Sequence, residues 1–119
     1  MKKLFISCPM KGRTKENIRK SMEKMHKIAE EIFEEELETI QSYIEDDPPK
    51  DSRKQVWYLG ESIKLMSQAD YFIGPTIIND KYPGCLVEQE IAVRYAIPSY
   101  MIRIDFVLTK EESEDLRKY

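Results

Sequence analysis

GCLVEQEIAVRYAIP, residues Gly84–Pro98, reads as a turn leaving a strand that becomes a helix, with Glu88 in the first or second turn and Pro98 as the breaker. Before it, Tyr71–Gly74 is a short apolar strand followed by a polar connection through Asn79, Asp80, Pro83 and Gly84. After it, Ser99–Ile104 is a further strand. Strand, helix and strand joined by short connections make a βαβ unit, which runs its two strands parallel.

The same alternation extends toward both ends. Lys3–Cys8, with LFIS at its centre, reads as a buried strand that Pro9 ends. A turn at Gly12 leads to Thr14, an N-cap for a long helix whose stripe is Ile18, Met22, Met25, Ala29, Ile32 and Phe33. The acidic run Glu34–Glu36 lies at the unfavourable end of that helix dipole, so the helix is expected to stop there. Leu37–Ile44 reads as a second strand and Glu45–Lys54 as a loop. Ser52–Gln55 has a capping-box pattern ahead of a helix bearing Val56, Leu59, Ile63 and Met66. Thr109–Glu112 is a second capping box, opening a charged C-terminal helix.

These elements predict one α/β domain over residues 1–119, a doubly wound, flavodoxin-like three-layer sandwich with a mostly parallel sheet of four or five strands. In such sheets ligands bind beyond the carboxyl ends of the strands, where strand order reverses. With the order 2-1-3-4, Ser7–Arg13 and Gly74–Glu88 flank one crevice.

Composition narrows the functional classes. A chain of 119 residues, 41% hydrophobic and 34% charged, is that of an ordinary globular protein. Its apolar runs fall short of a bilayer span, and Leu4–Ile6 is too short for a signal-peptide core, so a cytoplasmic protein without a membrane partner is expected. Nineteen Lys and Arg against 22 Asp and Glu leave a net charge of -3, which argues against a broad hold on a nucleic acid polymer. Cys8 and Cys85 lack zinc-site spacing and read as free thiols. The single histidine, His26, lies in a helix rich in Lys and Glu, which gives no support to Ser-His-Asp or Cys-His chemistry.

Two loops carry the remaining chemistry. In the turn after the first strand, Ser7, Pro9, Met10, Lys11, Gly12 and Arg13 hold one glycine, too few for a P-loop or a dinucleotide fingerprint. Lys11 and Arg13 beside a helix start suit a phosphate, although basic residues in a surface turn are equally often only solvated. Glu88, near the positive end of its helix dipole, is expected to be ionised, and Ala92 and Tyr95 share its helix face. A single carboxylate with neither a metal cluster nor a catalytic histidine suits displacement at an anomeric carbon through a covalent glycosyl intermediate. The acid that protonates the leaving base is sought at Asp80 rather than Asp70, which opens the third strand at its far end. Tyr82 and Tyr95 are candidates to line the pocket.

FISCPMKGR, WYLGESIKLMSQAD and GCLVEQEIAVRYAIP together resemble the nucleoside 2-deoxyribosyltransferase-like superfamily, and more closely its short bacterial and phage members. The resemblance covers Lys3–Met101. It implies a nucleoside deoxyribosyltransferase-like fold, a nucleoside or nucleotide ligand, no cofactor, and homo-oligomers whose neighbouring subunits complete the site. Glu88 then corresponds to the glutamate nucleophile of deoxyribosyl transfer or of nucleotide N-glycoside hydrolysis. The chain departs from the family where a tyrosine that touches this carboxylate is matched by Phe5. Ser62, beside Glu61, takes the place of an aspartate, and Pro9 that of a phosphate-binding serine, while Lys11 and Arg13 keep the positive charge. Two further readings stand beside the enzyme: a non-catalytic protein that sequesters a nucleotide signal, and an adaptor domain that kept the fold alone.

Overall fold

The structure, a computed structural model, describes residues 1–41, 44, 46–76 and 81–117, with the backbone alone for 115–117. Its sheet is built from β1 (Lys2–Ile6), β2 (Leu37–Thr39), β3 (Tyr71–Thr76) and β4 (Ser99–Arg103) in the order β2-β1-β3-β4, and every neighbouring pair is parallel. The crossovers are α1 (Lys15–Phe33), α2 (Lys54–Met66) and α3 (Pro83–Arg94), and α4 (Ile104–Val107) and α5 (Lys110–Arg117) follow the last strand. The fold is therefore the expected α/β sandwich, with four strands among the described residues.

Side chains alternate across a strand, so each face of the sheet collects its own layer. Leu4, Ile6 and Ile73 pack with Met25 and Ala29 of α1 and Val107 of α4. Phe5 and Phe72 pack with Met66 of α2 and Ala92 of α3. The register sets Phe5 beside Phe72, and their rings stack at a centroid distance of 5.9 Å. Full burial of each such side chain contributes about 1.5–3 kcal/mol.

Local chemistry sets the ends of the helices. Thr14 accepts a hydrogen bond from the Asn17 amide, and α1 ends at Glu34, whose backbone is left-handed at φ 56°. Thr109 and Glu112 form their reciprocal cap: the Thr109 amide donates to Glu112 Oε1 (2.9 Å) and the Glu112 amide to Thr109 Oγ1 (3.3 Å). The Ser52–Gln55 box does not form. Ser52 Oγ donates instead to the Pro49 carbonyl, a local turn that competes with capping, and α2 starts after Arg53 without a side-chain cap.

Several boundaries and faces differ from those predicted. The second strand ends at Thr39, although the Ile40 amide still donates to the Leu4 carbonyl. α3 ends at Arg94, four residues before Pro98, because Ala96 turns left-handed at φ 58°. The fourth strand gives up Ile104 to α4, a single turn. On α1, Ile32 is exposed, and Ser21 and Ile28 take part in the buried stripe with Met22 and Met25. On α2, Val56 is exposed, and among its residues only Met66 is fully buried.

β3 contains a proline without losing a sheet bond. The Ile73 carbonyl accepts from the Ser7 amide at 2.8 Å, so Pro75, two residues on, faces the same side just beyond the end of β1. The Pro75 carbonyl accepts from the Gln89 side-chain amide, which ties α3 to the strand. Beside it, a Cβ on Gly74 would come within 3.0 Å of the Phe72 ring and 3.3 Å of Gln89 Nε2. Gly74→Ala is expected to lower the unfolding free energy by about 1–3 kcal/mol in urea denaturation. An unchanged midpoint would show that Phe72 and Gln89 yield freely.

Candidate functional site

Parity along β1 carries the site. Leu4, Ile6 and Cys8 turn toward α1, so Phe5 and Ser7 turn toward α3. Ser7 lies one residue beyond β1 but is still held by its amide bond to Ile73. From the other side, Glu88 projects out of the second turn of α3, one turn after Cys85. Ser7 Oγ donates to Glu88 Oε1 at 2.7 Å, and both residues are buried. They meet at the carboxyl ends of β1 and β3, between which the strand order reverses.

Burial outweighs the helix dipole here. The Glu88 carboxyl is pushed up to about 7, chiefly by desolvation, while the Ser7 hydroxyl pulls it back down. The expectation of an ionised Glu88 stabilised by the start of the helix is therefore corrected. The dipole acts within the first turn, and Glu88 stands beyond it. Cys85, one turn earlier on α3, and Cys8, on the α1 side of β1, are both protonated thiols. Burial raises Cys85 to about 12 and Cys8 to about 11, so neither is a thiolate nucleophile at neutral pH. The Ser7 hydroxyl and the Arg13 charge pull the Cys85 thiol down and the Glu88 carboxyl pushes it up, but burial prevails.

Arg13 anchors the first loop. Gly12 adopts φ 73°, and the Arg13 amide closes the turn on the Met10 carbonyl at 3.1 Å. The Arg13 side chain is 2% exposed and pairs with Glu112 of α5: Nε donates to Oε2 (2.7 Å) and Nη2 to Oε1 (2.9 Å). Its remaining donors reach the Pro9 carbonyl (2.8 Å), Ser21 Oγ (2.6 Å) and the Asn17 carbonyl (3.3 Å). Ser21 passes the chain on to the Val107 carbonyl at 2.6 Å. The pair lowers the Glu112 carboxyl below its ordinary value against the pull of burial, and it keeps Arg13 charged.

The other sequence candidates fall in different places. Met10 and Lys11 are exposed on the turn and Pro9 is buried beneath it. Gly84 lies in the first turn of α3, where a Cβ would meet only open space. Phe5 is core, and Ser62 is half-buried on α2. Tyr95 does not share the Glu88 face: it caps α3 and is exposed, whereas Ala92 is buried. Tyr82 is buried with Cys85, Ile104 and Leu108. Asp70 accepts from the Lys3 amide at 2.8 Å, at the opposite end of the sheet. Asp80 and Asn79 lie outside the described residues.

Among the described residues no group of His, Cys, Asp and Glu is arranged to hold a metal ion, and no helix is long and apolar enough to cross a membrane. Comparison of the chain with protein-family models, with curated proteins and with solved structures finds no match. Two surface depressions, of about 410 and 260 Å³, are lined by Lys27 and Glu31 and by Lys3 and Gln68 respectively, away from Glu88.

Two features of the site escaped the sequence reading. The sequence sets Ser7 near the ligand without pairing it to Glu88, although the two-residue period of β1 puts Ser7 and Phe5 on one face. In the sequence Glu112 signals a cap alone, because no local pattern points to a partner 99 residues away.

The raised carboxyl has a consequence for stability. An acid whose folded pKa lies above its unfolded value stabilises the fold fully below the unfolded value, here near 4.5, and that stabilisation is lost as pH rises through about 7. Wild-type stability is expected to fall by about 3 kcal/mol relative to Glu88→Gln between about pH 4 and pH 8. Parallel urea-denaturation curves for the two proteins across that range would remove the buried, uncharged carboxyl.

Proposed function

We propose that this protein acts on the N-glycosidic bond of a nucleoside or nucleotide, with Glu88 as the nucleophile and Ser7 as its positioning residue. The Ser7–Glu88 hydrogen bond at the β1–β3 switch point carries the reading. The likeness of the three sequence blocks to the nucleoside 2-deoxyribosyltransferase-like superfamily supports it, with Glu88 at the nucleophile position.

In this reading Ser7 holds Oε1 and leaves Oε2 to attack C1′ of the sugar. The C1′–N bond breaks, its electron pair leaves with the base, and the base takes a proton from the solvent. A glycosyl ester forms on Glu88. Water or a second base then displaces the ester, giving hydrolysis or transfer. Ser7 supplies the hydroxyl that the family takes from a tyrosine, because Phe5 has none to offer.

The ligand is a small nucleoside or nucleotide, with Lys11 as the solvent-facing cation of the first loop. Leu86, Val87 and Val93 are exposed apolar side chains of α3 that flank the exposed Glu90–Arg94 ion pair, a mixed surface suited to a second copy of the chain. A non-catalytic binder that sequesters a nucleotide remains the second reading. It is favoured by Phe5, whose ring is buried against Phe72 instead of offering a hydroxyl to Glu88.

Purified protein incubated with a panel of nucleosides and nucleotides is expected to release or exchange base, and Glu88→Gln to abolish this. The rate should rise with pH through a single ionisation near 7, as Glu88 loses its proton. Ser7→Ala should lower kcat and move that midpoint upward, since the lost donor stabilised the carboxylate. Release unaffected by Glu88→Gln would sink the reading. Intact nucleotide recovered from heated protein, without base release, would establish the binder instead.

A further inference from the structure

We propose that Arg13 and Glu112 are positioning residues for the Ser7–Glu88 pair, and that they act on it through the Pro9 carbonyl of the first loop without touching the ligand. This rests on the reading above that Ser7 and Glu88 form the reactive pair. The hydroxyl that orients the carboxyl stands on the last residue that the sheet holds. Whatever fixes the chain just beyond that residue therefore also fixes the hydroxyl.

β3 lets go of the first strand at Ser7. In a parallel ladder a residue donates to one carbonyl of its neighbour strand and accepts from the amide two residues further along it. The Ser7 amide donates to the Ile73 carbonyl at 2.8 Å, so the donor for the Ser7 carbonyl would be the amide of residue 75. That residue is Pro75, which has no N–H, and the ladder ends there. Beyond Ser7 the hold passes to Arg13. Its Nη1 donates to the Pro9 carbonyl at 2.8 Å and lies 3.8 Å from Cys8 Sγ, so it grips the two residues that follow the serine.

Arg13 can do this only while its own charge is matched. Its side chain is 2% exposed, and a buried guanidinium left without an anion is costly enough to drive the side chain out toward water. The Asn17 carbonyl and Ser21 Oγ accept from Nη2 but supply no charge. Glu112 supplies it from α5, taking Nε and Nη2 with one oxygen each, at 2.7 and 2.9 Å. The carboxylate is itself aimed by the Thr109 amide, which donates to Oε1 at 2.9 Å. With these donors engaged inside the protein, Arg13 serves the loop that it supports. The Glu88 carboxyl answers to burial and to the Ser7 hydroxyl, so the route from Glu112 runs through the placement of Ser7 and not through charge.

The test follows the Glu88 carboxyl by carbon NMR across pH, in the full chain and without ligand. Ser7→Ala is expected to move its midpoint upward from about 7. Glu112→Gln should move it in the same direction, because a loosened Pro9 lets the Ser7 hydroxyl drift. In a chain that already carries Ser7→Ala it should add nothing. Arg13→Lys, which keeps the charge but loses the fork, should act as Glu112→Gln does. Pro75→Ala, which gives residue 75 an N–H for the Ser7 carbonyl, should bring the midpoint of Glu112→Gln back toward that of wild type. A midpoint unmoved by both Glu112→Gln and Arg13→Lys, or moved equally with and without the Ser7 hydroxyl, would overturn the proposal, whatever the variants do to stability. Should Glu112→Gln fail to fold, Glu112→Asp, which keeps the charge and withdraws the oxygens, decides in its place. In the base-release assay Glu112→Gln should lower kcat on the order of tenfold with KM little changed. Glu88-dependent base release beside unlinked midpoints removes only the positioning role. Linked midpoints without base release remove the glycosyl chemistry and leave the positioning intact.

Discussion

The pairing of β1 with β3 at the centre of a parallel sheet is the constraint from which the two faces, the two cores and the site all follow. The register that sets Phe5 beside Phe72 and Ile6 beside Ile73 sends alternate residues of β1 to opposite layers. One step past the strand, the same alternation separates Ser7 from Cys8. Ser7 goes to α3 and Glu88, and Cys8 goes to α1 and Arg13. A slip of one residue would exchange these partners, placing a hydroxyl in an aliphatic layer and leaving a buried carboxyl without its donor. The cost of such a slip, about 1–3 kcal/mol for the unsatisfied carboxyl alone, helps hold the register.

Polar groups placed in the interior are each matched. Among the described residues every buried side-chain nitrogen and oxygen finds a hydrogen-bond partner. Arg13 shows how far this goes, since its donors tie the first loop to α1 and α5, and Ser21 carries the link to α4. Such a hub adds little net stability over an apolar cluster of the same volume, because both charges lose water. What it contributes is geometry. The turn from Pro9 to Gly12 carries almost no apolar anchor on its exposed side, and the guanidinium beneath it holds the Pro9 carbonyl in place.

The architecture was legible where one local rule governed each element. The stripe of α1, the Thr14 cap, the βαβ order and the reversal between β1 and β3 all follow from periodicity and connection length. Edges were less legible, because they depend on competing partners. Ser52 had an N-cap pattern but found the Pro49 carbonyl nearer, and α3 stopped at a left-handed Ala96 instead of running on to Pro98. Exposure on α2 departed from its apolar spacing because that helix meets the sheet mainly through Leu65 and Met66. At the site, the positions of Glu88 and Ser7 could be read from chain order, but the ionisation of Glu88 could not. Helix position argues for a charged carboxylate, and only the packing around α3 shows that burial wins.

That contest bears on what the carboxyl can do. A glutamate held near 4.5 would be ionised at neutral pH but weakly basic, whereas one raised to about 7 is a stronger base that is charged in about half of the molecules. Ser7 sits at the balance point of these effects. Its hydroxyl lowers the pKa enough to keep an ionised population, and it fixes the carboxyl plane at the crevice end of the sheet. The thiols of Cys8, on the opposite face, and Cys85, on α3, driven up to about 11 and 12, stay neutral and add no competing charge. The chemistry of this cluster is therefore set by one titrating group and one hydroxyl, with desolvation as the dominant force on the carboxyl.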